Sequence, residues 1–224
     1  MIRAVVTAAY TLCAITLLGG CAAQPLSIDE ARQLIMNALP LRSYSSLSEV
    51  AYYPGQVVCG LYETADDYGG SNRPRPFVIV GQDAMPYAKP LDTAIYCSED
   101  PASSLQIELG IGPVESSNTA LMQVRSDLTA LSEALEAAVS ELGYYPGDAD
   151  WQSTLTGASG KAFIESVPTD PWGNRYQYYV DPFGGSKGQY ALWTLGADVA
   201  EGGAGPDADI YVKYLPYIEH VAGL

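Results

Sequence analysis

The sequence predicts an α+β protein in two parts, and three kinds of pattern support that class. A long apolar stripe with helical spacing runs from Leu121 to Leu142. Short runs rich in aromatic and β-branched residues, bounded by turn-forming residues, indicate strands on both sides of it. A helix-start pattern, Ser27-Ile-Asp-Glu30, opens the first part. Helices and strands grouped in this way favour an α+β architecture.

The first 20 residues predict a lipoprotein signal peptide. A basic Arg3 precedes an apolar stretch from Ala4 to Leu18, which is too short for a stable membrane span and is typical of a secretory signal. The junction Leu18-Gly-Gly-Cys21 is similar to a lipobox, so we expect Cys21 to be acylated, palmitate included, and to become the new N-terminus. The alternative is a soluble secreted protein cleaved near Ala23. The residues after the cysteine lack aspartate, which favours the outer membrane, facing the periplasm.

Two of the four cysteines remain once the signal and the lipobox are set aside. Cys59 and Cys97 form an even remainder in an exported chain, which predicts a disulfide. In the chain-entropy model, closing their loop of about 38 residues stabilises the fold by roughly 3 to 4 kcal/mol. Metal binding by this pair is a weaker alternative, because there is no Cys-x-x-Cys motif and the single histidine, His220, lies far away in sequence.

Residues 26–109 predict a small α+β module with the Cys59–Cys97 disulfide. The capping box at Ser27 starts a helix whose apolar face ends at Pro40. The linker is expected at residues 110–118, with Ser103 and Ser104 counted as part of the same turn-rich connection. Three strands are predicted in the module: Gln56 to Tyr62, Phe77 to Val80 and Thr93 to Cys97.

Several motifs of this module resemble a small exported module of unassigned role that is frequent in proteobacterial proteins. They are Val58-Cys59-Gly60, Tyr68-Gly-Gly70 and Arg75-Pro-Phe77, followed by Cys97. The rings and guanidinium groups admit two interpretations. They form a ligand surface, or the rings fill the core while the arginines lie at the surface; the residues concerned are Tyr62, Tyr68, Arg73, Arg75 and Phe77.

The segment from Thr119 to Leu142 predicts one long amphipathic helix. Its apolar residues recur at three- and four-residue steps, and Gly143 before a Tyr-Tyr-Pro sequence is a helix-ending signal. At 1.5 Å per residue the helix would be roughly 36 Å long. The predicted stripe consists of Leu121, Val124, Leu128, Leu131, Leu135, Ala138 and Leu142.

Residues 195–210, which we call the acidic loop, combine four acidic residues with four glycines. Carboxylates and backbone carbonyls are the oxygen ligands that Ca²⁺ takes, and glycines allow the backbone to fold tightly around an ion. A solvated acidic turn is the other interpretation. Strand-like runs, Tyr190 to Thr194 and Ala208 to Val212, lie on either side of the loop.

The motifs of the C-terminal half resemble the globular domain of major pseudopilins of type II secretion systems. The likeness covers roughly residues 120–212 and is specific in order and spacing. The motifs that carry it are Asp170-Pro-Trp-Gly-Asn174, Tyr176-Gln-Tyr178, Leu195-Gly-Ala-Asp198, Glu201-Gly-Gly203 and Asp207-Ala-Asp-Ile210.

This resemblance implies that residues 119–224 form one long helix packed on a small antiparallel sheet, with a calcium loop before the last strand. The implied ligands are the Leu195 carbonyl and the carboxylates of Asp198 and of Asp207 or Asp209. Glu201 belongs to the same motif but is free to face solvent. Val199 departs from the family, which usually has glycine at this position.

At its N-terminus the sequence differs from the pseudopilin pattern. Pseudopilins begin with a prepilin cleavage site and a long apolar helix that anchors and then polymerises them, whereas this sequence begins with the lipobox pattern ending at Cys21. We therefore expect a head domain on a lipid anchor that docks to a protein partner, rather than a subunit that polymerises.

Composition narrows the function classes further. A formal net charge of −15 repels phosphate backbones and disfavours nucleic-acid binding. No Gly-x-Ser-x-Gly or His-Glu-x-x-His motif is present, so the sequence predicts no enzyme and no catalytic residues. The favoured hypothesis is a calcium-stabilised, non-catalytic structural or interaction component of the cell envelope, with a link to type II secretion. The alternatives are a glycan- or peptide-binding lipoprotein that uses the first module, and a hydrolase.

Overall fold

The computed structural model describes residues 25–39, 45–64, 73–158, 160–181 and 190–224. These residues form helices and two antiparallel sheets, which confirms the α+β class. The lipobox, Cys21 and Tyr68 lie outside the described residues. No helix in these ranges is long and apolar enough to cross a membrane.

The first sheet has four strands in the order β1-β2-β3-β4, all antiparallel. Its inner strand β2 alternates between two cores: Val57 and Cys59 face one, and Val58 and Tyr62 face the other. Helix α1 covers the second face, and its start is fixed by the predicted capping box between Ser27 and Glu30. The elements of this region are α1 (Ile28–Ala38), β1 (Ser45–Tyr53), β2 (Val57–Thr64), β3 (Arg75–Val80), β4 (Asp83–Met85), α2 (Pro90–Tyr96) and α3 (Pro101–Leu109).

Two predictions for this region are wrong. The run Thr93 to Cys97 is β-branched and aromatic but forms the end of α2, because Pro90 and Asp92 supply helix-start chemistry: the Asp92 carboxylate accepts the Lys89 N–H at 2.7 Å. Ser103 and Ser104 lie inside α3 rather than in the linker, because Asp100 caps that helix by accepting from the Ser103 N–H.

Helix α4 (Thr119–Leu142) has the predicted bounds. Asn118 caps its start by accepting the Leu121 N–H at 3.2 Å, and Gly143 ends it with a left-handed backbone, φ 82°. Every residue of the predicted stripe is buried except Leu142, which is partly exposed. This helix packs on the second sheet, as the pseudopilin likeness implies.

The second sheet has three antiparallel strands in the order β5-β6-β7. Strand β6 has the predicted bounds, whereas β7 is shorter than the predicted run from Ala208 to Val212. The elements of this region are α5 (Trp151–Leu155), β5 (Gln177–Val180), β6 (Tyr190–Thr194), β7 (Ile210–Tyr211) and α6 (Leu215–Ala222).

A single large core joins the two parts of the chain. Val57 and Val78 of the first sheet, Leu128 of α4 and Leu192 of the second sheet belong to the same buried cluster. The C-terminal helix α6 adds to it, where the Tyr217 hydroxyl donates to Asp92 of α2. The division into domains at residues 110–118 stays a prediction, and the core is continuous across that segment.

Candidate metal site

The acidic loop connects β6 to β7 and folds back on itself. The Ala197 N–H donates to the Pro206 carbonyl at 2.9 Å, and the Asp209 N–H donates to the Gly202 carbonyl at 3.2 Å. Gly196 has φ 70°, and a Cβ there would lie 2.7 Å from the Asp207 carbonyl carbon. Only glycine permits so close an approach of two backbone segments.

Val199 has a left-handed backbone, φ 58°, and its side chain is 53% exposed. A β-branched residue is rarely found in this conformation, because Cβ crowds the following carbonyl. The structure therefore explains physically why a glycine suits this position in the pseudopilin pattern. Valine keeps the left-handed geometry here at an energetic cost.

The base of the acidic loop is held by Asp170, which is only 2% exposed. Its Oδ1 accepts the N–H groups of Trp172 at 3.1 Å and Asn174 at 2.7 Å, and its Oδ2 accepts the Thr194 hydroxyl at 2.6 Å. The Thr194 oxygen in turn accepts the Gly196 N–H at 3.1 Å. This buried network orients the first residues of the loop.

Sequence reasoning identified the Asp170-Pro-Trp-Gly-Asn174 turn as a family motif but assigned no role to its aspartate. Its position in the turn was a usable signal for this role. An aspartate side chain in a turn is able to accept hydrogen bonds from backbone N–H groups two and four residues further along the chain. The contact with Thr194, 24 residues away, has no such local signal.

The predicted ligands occupy different environments. Asp198 is exposed, and its Oδ1 accepts the Ala200 N–H at 3.1 Å. Asp209 is partly buried: its Oδ2 accepts the Gly202 N–H at 3.0 Å, whereas its buried Oδ1 has no hydrogen-bond partner among the described residues. Asp207 ends a short 3₁₀ segment, and Leu195 leads into the loop directly after β6. Glu201 is exposed.

These residues fit a hard cation in their donor chemistry. The unpartnered Asp209 oxygen is costly to bury without a positive partner, and carboxylate and carbonyl oxygens suit Ca²⁺. Among the described residues, no group of three or more His, Cys, Asp or Glu side chains is arranged to hold a metal ion. A cation here would therefore depend on one or two carboxylates together with backbone carbonyls such as that of Leu195.

The electrostatic surroundings of the loop are negative. The pKa of Tyr211 is raised by burial first, and further by the charges of Asp209, Tyr214 and Glu201. Asp127 of α4 accepts the hydroxyl of Tyr176 at 2.9 Å, and burial together with this bond raises the pKa of Tyr176.

The first module places its predicted residues mainly in structural roles. Cys59 and Cys97 form the predicted disulfide, with Cα atoms 6.0 Å apart. Tyr62 and Phe77 are buried in the core, whereas Arg75 is exposed. The interpretation in which the rings fill the core is therefore favoured for the described members of the set.

The single histidine packs against the first module. His220 of α6 packs edge-on against Tyr96 at 5.0 Å between ring centroids, and its buried Nε2 has no hydrogen-bond partner. Burial lowers the pKa of His220. Its surroundings are those of a core residue.

Comparison with known proteins confirms the predicted resemblance of the C-terminal part. Residues 114–213 match the family described as type II secretion system (T2SS), protein G. This stretch, which contains α4, the second sheet and the acidic loop, is thus similar to protein G of that system.

Two curated relatives agree with this assignment. The type II secretion system core protein G of Pseudomonas aeruginosa is 38% identical over 78 residues, which is 35% of this chain and 48% of the relative. The protein of the same description from Vibrio cholerae serotype O1 is 37% identical over 94 residues, 38% of this chain and 62% of the relative. The chain thus spans about half to three fifths of the relatives it matches.

Proposed function

We propose that this protein is a non-catalytic structural or interaction component of the cell envelope that works with type II secretion. The observation that carries the proposal is the protein G domain at residues 114–213, whose long helix and antiparallel sheet are both present. The two similar curated proteins are core proteins of that system. The first module adds a second sheet to the same core and no described catalytic group.

The test is affinity purification of the full-length protein from cross-linked envelopes. We expect type II secretion proteins to be enriched relative to a purification from cells that carry a tagged, unrelated lipoprotein. Loss of the gene is expected to lower the secreted amount of a type II substrate. Unchanged secretion together with no enrichment would reject the proposed function.

We further propose that Ca²⁺ stabilises the acidic loop. Asp198 with Asp207 or Asp209, and the Leu195 carbonyl, would hold the ion. Calcium supplies positive charge to carboxylates that repel one another and would link the end of β6 to the start of β7. The unpartnered, buried Asp209 oxygen supports this proposal.

Thermal unfolding with calcium and with chelator tests this part. A ligand present at 100 times its Kd stabilises the folded state by about 2.7 kcal/mol, so we expect a rise of several degrees in Tm. The double variant Asp198→Ala with Asp207→Ala is expected to lose the calcium response. Asp83→Ala with Asp150→Ala is the matched control, since both side chains are exposed and outside the loop. Equal melting with calcium and with chelator in the unmodified protein rejects calcium binding.

Lipid anchoring through Cys21, in the outer membrane facing the periplasm, completes the proposal. It rests on the Leu18-Gly-Gly-Cys21 pattern and on Ala22 after it. Metabolic labelling with a palmitate analogue is expected to mark the protein and not Cys21→Ser. Ala22→Asp is expected to move the protein to the inner-membrane fraction; an unlabelled mature protein would contradict the anchor.

A further inference from the structure

An open cleft lies where the first module meets the acidic loop, and we call it the junction cleft. Its volume is about 460 Å³. One wall is the end of α3, and the other is formed by residues 202–204, Asp209, Tyr211 at the end of β7, and Tyr214. The residues used below are Ile107, Glu108, Asp209, Tyr211 and Tyr214.

The backbone holds the two walls together. The Gly205 N–H donates to the Gly110 carbonyl at 2.8 Å. Gly110 has φ 70°, and a Cβ there would lie 2.7 Å from the Gly203 carbonyl oxygen. The α3 wall lies outside the protein G match at residues 114–213, whereas the other wall lies inside it. The junction cleft is therefore a product of joining the two parts of this chain.

The cleft offers an apolar anchor. Ile107 is 79% exposed, the highest exposure among the large hydrophobic side chains of the described residues. Single exposed isoleucines are common on protein surfaces. This one stands beside two partly buried rings, Tyr211 and Tyr214, which pack edge-on with centroids 5.5 Å apart. Tyrosines beside an aliphatic side chain are typical of the centre of a protein interface.

The charges of the cleft select for a cation. Glu108 is exposed at the end of α3, where the helix dipole is also negative. The carboxylate of Asp209 belongs to the opposite wall. The ring faces already attract one ammonium group of this chain, since Lys213 Nζ lies 4.7 Å from the Tyr211 centroid and 5.1 Å from that of Tyr214.

We propose that the junction cleft docks a protein segment that presents an arginine or lysine beside a branched apolar residue. The apolar side chain packs against Ile107 and the tyrosine rings, and the basic group lies against the exposed carboxylate of Glu108. The proposal rests on the proposed function, because it names the partner chemistry of an interaction component. Charge complementarity with an acidic, tyrosine-lined cleft is what favours this occupant over others.

The test uses the full chain in calcium-containing buffer and an array of short synthetic peptides. The central residue is Arg, Lys, Gln or Glu, and its neighbour is Ile, Leu or Ser. We expect selection of Arg or Lys beside Ile or Leu. Titration calorimetry with the best peptide then compares two pairs: Ile107→Ser with Ile28→Ser, an exposed isoleucine on α1, and Glu108→Gln with Glu133→Gln, an exposed glutamate on α4.

We expect each cleft variant to bind about tenfold more weakly, the size of a hot-spot contact, and each control to bind as the unmodified protein does. No preference for basic and apolar peptides, or unchanged affinity in the cleft variants, overturns the proposal. Methylguanidinium alone binding as tightly as the peptide also overturns it, because that result shows a small-cation site. Peptide selection and peptide affinity are measured independently of secretion and of Tm. A negative result for the cleft therefore leaves the proposed function to be judged by its own experiments.

Discussion

The two sheets of this protein contribute to one core but are secured in different ways. The four-stranded sheet has both faces covered and is tied to the end of α2 by the Cys59–Cys97 disulfide. The three-stranded sheet buries Leu192 on one face, leaves Tyr179 half exposed, and is secured by hydrogen bonds to Asp170.

The two sheets are thus stabilised by different physical effects, one on the unfolded chain and one on the native state. A disulfide acts mainly by restricting the unfolded chain, so most of its stabilisation comes from the unfolded state rather than from native contacts. A buried carboxylate acts only in the native state, where its partners are in place and water is excluded. The first sheet is thus suited to an oxidising compartment, whereas the second depends on the conformation of its loops.

Removal of the disulfide is expected to have the largest effect on the first sheet. Cys59→Ala with Cys97→Ala opens a link between residues 38 positions apart, and the chain-entropy model gives a loss of about 4 kcal/mol in the free energy of unfolding. Urea denaturation measures the loss. Reductant should destabilise the unmodified protein and leave the double variant unchanged; a loss below about 1 kcal/mol would show that packing alone secures this sheet.

Removal of the Asp170 carboxylate tests the second sheet. Asp170→Ala leaves two backbone N–H groups and the Thr194 hydroxyl without their acceptor in a buried site, and we expect a loss of about 3 kcal/mol. Chemical denaturation measures it, with Asp83→Ala as the exposed control. If both variants unfold alike, the network does not secure the sheet.

Relief of backbone strain at Val199 is expected to raise the free energy of unfolding, by less than the two changes above lower it. Val199→Gly relieves a left-handed β-branched residue, and we expect a gain of about 1 kcal/mol, since relief of strain exceeds the added entropy of glycine. Gln56 in the turn between β1 and β2 has a similar φ, 59°, but an unbranched side chain, so Gln56→Gly should gain less. Val199→Ala, which keeps the left-handed strain of a Cβ, is the local control. A destabilised Val199→Gly would contradict the interpretation.

The smallest expected effect is a pH dependence of stability that arises from His220 in helix α6. Burial holds the pKa of His220 below its unfolded value, so between the two values the unfolded state binds more protons than the folded state. Stability from this residue is therefore complete above the unfolded pKa and falls as pH decreases through it. Denaturant midpoints at several pH values should decline less in His220→Gln than in the unmodified protein. Parallel declines would show that His220 does not contribute.

Local patterns predicted the elements that contain their own signals. Helix α4 has a periodic stripe, a capping asparagine and a terminal glycine, and its bounds were predicted correctly. The run Thr93 to Cys97 was misassigned because β-branched composition was given more weight than the helix-start residues before it. Strand β1 was missed, since its polar and apolar residues do not alternate regularly around the bulge between Ser48 and Ala51.

By itself, the sequence determined the class of the fold, the long helix, the disulfide pair and the likeness of residues 114–213 to protein G, because each leaves a local motif or a count. Tertiary structure alone decided that both sheets share one core, that Asp170 supports the acidic loop through Thr194, and that α3 and the loop enclose the junction cleft. These features join residues that are distant in the chain, and such contacts depend on the packing of whole elements rather than on spacing.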